Sequence, residues 1–527
     1  MPRKRTPPAF SRAFSRPGSA EAIRPWQWFL LAAAAPIVLC AARLNLDLWH
    51  DEIYTLTMFV AAGPRQIVSD YSAPNNHVLY SLVLWPVHLI SNSNFALRLP
   101  SLAFAVGTLW MTFRAGCRLG DAKLGVFATM LLGLNQMFLI HAIQVRGYGL
   151  SMFLFAWLAN LAIAGGSAAC PSRLAQIALA GAAFLYVMPT NLLLFLPLAA
   201  AALTWPAWAW QRRPDEAAPL EPVAKASRPW TAGVAWAAAL GLAALCYAPI
   251  ARQVLERRGE RAPFTLAALL ASIADFLRPA THDLLPLAPF FLLGLAVWVV
   301  RRLRGRKAAS PAALLLAAGV FAGSFLLGAG LGIGPFPRNF CPLLPLLALA
   351  EAWTLGELAS AIRWKNERGE LAAAAASALL IAAVLAPQLA TYPRRLAAYC
   401  REHRGAHDGY FNYYAADYRV ADVVERIKQL TAGRRPFRVC YAAEDQWNLL
   451  YYFQRAGQPL ARRAAVGNAD VSIYVIAPVQ ADWADIAARH KLPAEELRKL
   501  PLIEGFGYYV LKGGRMKSGS APPIPNH

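Results

Sequence analysis

The chain has 527 residues and a net charge of +22, yet only 16% of its residues are charged, 57% are hydrophobic, and the mean hydropathy is +0.36. Soluble domains carry about 25% charged residues, so this composition excludes an ordinary soluble enzyme. The basic excess does not suggest nucleic acid as a partner either. Lys and Arg cluster in short segments between apolar runs, as the positive-inside rule expects, and no RNA-binding signature or basic face of a folded domain is evident.

Taken in chain order, residues 1–26 hold six basic residues and one acid before Trp26 and read as a cytoplasmic tail. An uncleaved first span, Gln27–Ala42, follows. It delivers a first external loop, 43–76, to the outer face. His77–Ser91 is short and contains His77, Pro86 and His88. Counted as a full span, it would invert every later loop, so it is expected to lie on the outer leaflet as an interfacial helix. Further spans are expected at Leu97–Phe113, Leu124–Ile140, Tyr148–Ala164, Leu174–Val187, Asn191–Trp205, Trp230–Ile250, Leu284–Val300, Pro311–Ile333, Phe340–Leu358 and Leu371–Ala390. The fold class is thus an α-helical polytopic membrane protein of about eleven spans, each near the roughly 17–25 residues a bilayer needs, within residues 27–390.

The strongest check on this topology is Arg301–Lys307, with five basic residues in seven, which falls inside. Ala251–Asp283 fits less well, being placed outside with five arginines and four acids. An odd span count leaves Thr391–His527 outside. Within it, residues 391–512 read as a small soluble α/β domain. Strands are expected in "FRVCYAA", "VSIYVIAP" and "FGYYVLKG", and helices in "EDQWNLLYYFQRAG" and "QADWADIAARHK". Residues 513–527 read as a disordered tail. The seven cysteines show no metal spacing, and Cys400 and Cys440 share the outer domain.

The polar residues assigned to the outer face are Asp51, Glu52, Asn75, Asn76, His77, Arg98, His141, Gln144, Arg146, Tyr148, Arg338 and Asn339. They put an acid pair and several cations at the outer ends of different spans. That layout suits a phosphate-bearing amphiphile: Arg or His holds the phosphate while a carboxylate activates a hydroxyl. Each residue also has a plainer reading. Asp51 and Glu52 fit solvated loop residues, and Arg98 and Arg338 fit snorkelling anchors.

The order "WHDEIYTL", then "NNHVLYSLVLWPVHLIS…NFALRLPSLAFAVGTLW", then "AIQVRGYGLSMFLF", with "FPRNFCPLLPLLAL" later, resembles the GT-C glycosyltransferases of family 39. These include protein O-mannosyltransferases, aminoarabinose transferases of lipid A and galacturonosyl transferases of lipopolysaccharide core. The resemblance implies a polyprenyl-phosphate-linked sugar as donor and an envelope lipid, glycan or protein as acceptor. It also implies a bacterial inner-membrane location, with the active site and C-terminal domain periplasmic. Asp51 takes the place of the catalytic base, with Glu52 beside it. His77, next to Asn76, and Gln144, Arg146 and Tyr148 take substrate-binding places, and Arg338 is a further candidate for the phosphate.

Two departures stand out. Tyr54 stands where the aminoarabinose transferases have a phosphate-binding arginine. Neutral Gln144 replaces an acid, which removes support for a divalent metal between external loops, so no cofactor is expected. Two other classes compete with an enzyme. One is a transporter or flippase of a lipid-linked or anionic substrate, which would place polar features near the midplane. The other is a non-catalytic envelope assembly protein.

Overall fold

The computed structural model describes residues 24–164, 171–204, 229–259, 265–281, 288–304, 310–333, 337–361, 375–376, 378–386, 390, 420–431, 437–441, 446–457, 472–478, 502–505 and 508–512. The expectations for the N-terminal tail, residues 305–307 of the Arg301–Lys307 loop, Cys400, the helix in "QADWADIAARHK" and the 513–527 tail lie outside these residues. Two compact units emerge. One comprises Met1–Leu44, Ala62–Asn92 and Ala96–Ala390; the other comprises Asn45–Ala61, Ser93–Phe95 and Thr391–His527. The first external loop, expected to go with the membrane part as a whole, is therefore divided between them.

The first unit is a bundle of apolar helices, and the chain is an α-helical membrane protein. Four helices among the described residues are long and apolar enough to cross a membrane: Asn94–Leu119, Thr231–Glu256, Ala312–Gly330 and Pro337–Ser360. Shorter apolar helices stand at most of the other expected spans, including α1, Pro25–Ala41. The segment expected to lie on the leaflet is a 13-residue helix, Val78–Ile90. Small residues bring helices close, as is usual where lipid supplies no hydrophobic drive between them. A Cβ on Gly116 would lie 2.6 Å from Gly125 Cα, so the helices bearing these glycines meet at the backbone.

Two expectations need correction. Leu124–Ile140 is not one span but two helices, Ala122–Gly133 and Gln136–His141. Asn135 makes the break. Its Oδ1 accepts from the Met137 and Phe138 amides at 2.9 and 3.2 Å, and its Nδ2 donates to the Ala280 carbonyl at 3.1 Å. Backbone groups freed inside an apolar bundle are thus satisfied by one side chain. Ala251–Asp283 is not merely a loop either, since it contains helices Ala251–Gly259 and Leu266–Ala280.

The span interiors also hold more charge than the sequence suggests. Glu351 and Glu357 are both buried in the helix Leu344–Ala361. Arg301 donates to Glu357 Oε2 at 2.6 Å and also bonds the Ser360 hydroxyl. This ion pair joins the helix Ala288–Leu303 to Leu344–Ala361.

In the second unit, four strands form a sheet: β1 Phe437–Tyr441, β2 Ser472–Pro478, β3 Leu502–Gly505 and β4 Tyr508–Lys512. Their order is β1-β2-β4-β3. β1 runs parallel to β2, with Phe437 opposite Ser472, while β4 is antiparallel to both of its neighbours. Strand β3 and the helix Val420–Thr431 were not foreseen. The helix Gln446–Arg455 buries Leu449, Tyr452 and Phe453, and Val420–Thr431 buries Val424 and Ile427. The two helices pack on each other.

Candidate active site

In the second unit the two acids sit in the first turn of a short helix, His50–Thr55, which a π-helical turn, Leu56–Val60, continues. Acids there complement the positive end of the helix dipole. Wider π turns are rare and often mark functional segments. The C-terminal domain grips this stretch from two sides. The Tyr452 hydroxyl accepts from the Leu48 amide at 2.7 Å, and Asp47 Oδ2 accepts from the Ala421 amide at 2.8 Å. One consequence of that enclosure is that Tyr451, on the gripping helix, has its pKa raised by burial, against the opposing effect of Arg455 and with smaller additions from Asp47 and Glu52.

Both carboxylates are withdrawn from solvent, Asp51 at 5% exposure and Glu52 at 1%. They are not equivalent. Glu52 reaches back three residues, its Oε2 accepting from the Trp49 amide at 2.7 Å, and so serves as the cap of its own helix. The Asp51 backbone carbonyl accepts from Thr55 Oγ1. The cap gives Glu52 a structural part in its own helix.

In the first unit, Asn76, His77, Gln144, Arg146 and Tyr148 are brought together from two stretches. The second stretch runs into the helix Tyr148–Ile163, whose 16 residues are almost all buried. The Gly147 amide donates to His77 Nδ1 at 2.7 Å. A neutral imidazole that accepts at Nδ1 carries its proton on Nε2. That Nε2–H faces Arg146 Nη2 at 3.4 Å, a donor opposite a donor. Arg146 is 2% exposed, donates from Nη2 to Asn75 Oδ1 at 3.3 Å, and lies over the Tyr148 ring with its guanidinium carbon 5.1 Å from the centroid.

Asn76 has a different part. Its Nδ2 donates to the Ile67 and Asp70 carbonyls, both at 2.8 Å, and its Oδ1 takes the Ser81 hydroxyl. The carboxamide ties the external loop to the start of Val78–Ile90, so it shapes the site from behind. Gln253 holds the same loop from the other end, accepting from the Tyr71 amide and donating to the Ser69 carbonyl.

Arg338 lies in a 3₁₀ turn, Pro337–Leu343. Phe340 of this turn stacks on Phe325 at 4.2 Å and meets Phe276 at 5.6 Å, and the turn packs on the helix that starts at Tyr148. Half-buried, Arg338 acts electrostatically on His141, a residue absent from the expected substrate-binding set. His141 ends the apolar run "FLIH", where it passes for a helix terminus. The usable signal was its spacing from Gln144 and Arg146 along one turn. Among the described residues, no group of three or more His, Cys, Asp or Glu is placed to hold a metal ion.

Gly147 is where this site is least tolerant. A Cβ there would lie 2.4 Å from Val187 Cγ1 and 2.9 Å from His77 Nδ1. Gly147→Ala is expected to displace His77 and break its tautomer-fixing bond, destabilising the protein by about 1–3 kcal/mol through overpacking. A melting temperature lowered accordingly is the expected result, and a wild-type value would mean that His77 has room to move.

No family model matches the chain, and no curated protein matches it. Among solved structures, it is similar to ArnT from Cupriavidus metallidurans bound to undecaprenyl phosphate, at 13% identity over 94% of this chain and 99% of that one, with a TM-score of 0.48. It is similar to arabinosyltransferase EmbB from Mycobacterium smegmatis at 13% identity over 73% of this chain and 43% of that one, with a TM-score of 0.42. A third is the oligosaccharyltransferase AglB from Archaeoglobus fulgidus in complex with an inhibitory peptide and a dolichol-phosphate. There the identity is 12% over 84% of this chain and 61% of that one, and the TM-score is 0.39.

Proposed function

We propose that this chain is an integral-membrane glycosyltransferase of the GT-C kind. It moves a sugar from a polyprenyl-phosphate donor to a hydroxyl of an envelope lipid, glycan or protein. The reading rests on one observation above all, the meeting of His77 Nε2–H and Arg146 Nη2 at 3.4 Å. Donors that converge on one point suit an oxyanion, which can accept from both. A phosphate oxygen does so, with Arg338 adding a second cation at a half-buried position. The motif resemblance supplies the lipid carrier and the sugar.

The chemistry is a single inverting displacement. Asp51 takes the proton of the acceptor hydroxyl. The acceptor oxygen attacks the anomeric carbon, and the bond from that carbon to the phosphate oxygen breaks. Polyprenyl phosphate leaves with the electron pair, and its new charge is held by Arg146, His77 and Arg338. Phosphate is already a good leaving group, so the protein's work is orientation and neutralisation of charge.

Purified protein in vesicles containing undecaprenyl-phosphate-linked sugars tests this reading. The expected products are free undecaprenyl phosphate and a glycoside of opposite anomeric configuration. Movement of the intact glycolipid across the bilayer, without cleavage, would establish the transporter reading instead.

The active site and C-terminal domain belong, on this proposal, to the periplasmic face of a bacterial inner membrane. Cysteine labelling at Gly305 and Gly457 checks that orientation. Label from outside should reach position 457 and not 305, and equal access to both would overturn the odd-span topology.

A further inference from the structure

Behind the proposed phosphate site lies a second imidazole with no place in the chemistry above. His141 is fully buried at the end of its short helix, just past the apolar span. Its Nδ1 is 3.3 Å from Gln144 Oε1. An amide oxygen only accepts, so the His141 proton is on Nδ1, the opposite tautomer to that of His77. Its ring meets the Tyr148 ring edge to face at 5.2 Å, and His77 meets the same tyrosine at 5.1 Å. Tyr148 is therefore a shared wall: two imidazoles brace it, and Arg146 lies over it.

Gln144 carries the bracing further. Its main-chain carbonyl accepts from Ser101 Oγ at 2.7 Å. Since that hydroxyl proton is spent, the Tyr80 hydroxyl donates to Ser101 at 2.6 Å. The chain His141–Gln144–Ser101–Tyr80 fixes the loop that carries Arg146 to the helix Val78–Ile90, which follows His77. All four side chains are buried.

We propose that His141 is a positioning residue for the phosphate-binding arginine, an uncharged imidazole that holds Gln144 and Tyr148 so that Arg146 stays aligned with His77. The inference rests on the anion-site reading of His77 and Arg146. Neutrality is part of the role. Burial above all pushes the His141 pKa down to about 3; the Gln144 bond, the next largest influence, opposes it, and the charges of Arg338, Arg146 and Arg43 add to the lowering. The helix Leu266–Ala280 also packs on this segment, and its acid, Asp275, is exposed. A neutral ring leaves the full positive charge of the arginines for the ligand. A glutamate at position 144 would remove that advantage twice over, by drawing a second proton onto His141 and by offering Arg146 an internal anion.

The test measures undecaprenyl phosphate binding to the full-length protein in detergent, with melting temperature alongside. His141→Phe keeps a ring against Tyr148 but loses the bond to Gln144, and should weaken binding about tenfold. His141→Asn places an amide N–H where Nδ1–H was and should restore binding to within about threefold of wild type. Nitrogen-15 spectra of histidine-labelled protein should show the wild-type His141 as neutral Nδ1–H from pH 8 to 5. In Gln144→Glu the same signals should move to the imidazolium pattern across that range.

Unchanged binding in His141→Phe, losses in both His141 variants that only follow melting temperature, or a wild-type His141 that titrates between pH 8 and 5 would each overturn the proposal. Arg146→Ala is the control that separates the two ideas. If it leaves binding unchanged, the anion-site reading falls and this inference with it. If it weakens binding while His141→Phe does not, only this inference falls.

Discussion

Asp51→Asn should lower turnover by about 10²- to 10⁴-fold, the usual contribution of a positioned general base, with donor affinity nearly unchanged. Asparagine keeps the shape and most of the hydrogen bonding and removes only the proton acceptor. Glu52→Gln is the informative partner. Glu52 Oε2 already caps its own helix through the Trp49 amide, and a glutamine oxygen can do the same. The substitution removes one negative charge from a helix N-terminus, worth about 0.3–1 kcal/mol, so the loss in turnover should be within about tenfold. Single-turnover assays with a polyprenyl-phosphate sugar measure both. A large loss in Glu52→Gln with a small one in Asp51→Asn would place the base at Glu52, and wild-type rates in both would return the pair to the status of loop residues.

Arg146→Ala should weaken donor binding about ten- to a hundredfold, since a charge-assisted hydrogen bond contributes about 1.5–3 kcal/mol. At 2% exposure the arginine belongs to the packing as well as to the proposed site. Alanine would also strip the cover from the Tyr148 ring and leave a cavity, so stability should fall as well. Arg146→Lys separates the two effects. It keeps the charge and most of the volume but loses the planar fork that faces both His77 and Asn75. Binding between wild type and alanine, with near-normal melting temperature, is the expected result. Undecaprenyl phosphate affinity unaltered in both variants would sink the phosphate site.

How much of this was legible in advance differs from residue to residue. His77, Arg146 and Tyr148 could be chosen because charged and aromatic residues at apolar span ends stand out against their background. Roles within a cluster could not. Nothing in "WHDEIY" says which acid turns back to cap its helix, because that depends on backbone direction at Trp49. Asn76 was a natural ligand by type, and only its three hydrogen bonds reveal a strut.

The break at Asn135 was hidden because "LLGLNQMFLI" is apolar but for Asn135 and Gln136, and hydropathy measures burial, not continuity of the backbone. Its signal was the Gly-Leu-Asn sequence, a stop followed by a cap. Leu266–Ala280 was missed for the opposite reason. Arginines around it gave the segment a polar average, although "LAALLASIADFL" repeats its large apolar residues at helical spacing. The β3 strand Leu502–Gly505 is short, and its pairing with β4 comes from the sheet, not from its own composition.

The length of the helix that begins at Tyr148 has a consequence for the lipid around it. Sixteen residues rise about 24 Å, whereas a typical hydrocarbon core is about 30 Å thick. At least one end of this helix therefore lies inside the oily layer, or else the bilayer thins to meet it. The Arg146 end can tolerate that depth because protein surrounds it, and the far end, Leu161–Ile163, is itself apolar. Acyl-chain length thus becomes a thermodynamic variable of the site. Each ångström of mismatch costs a fraction of a kcal/mol, so shorter-chain lipids relax the deformation and longer-chain lipids deepen it.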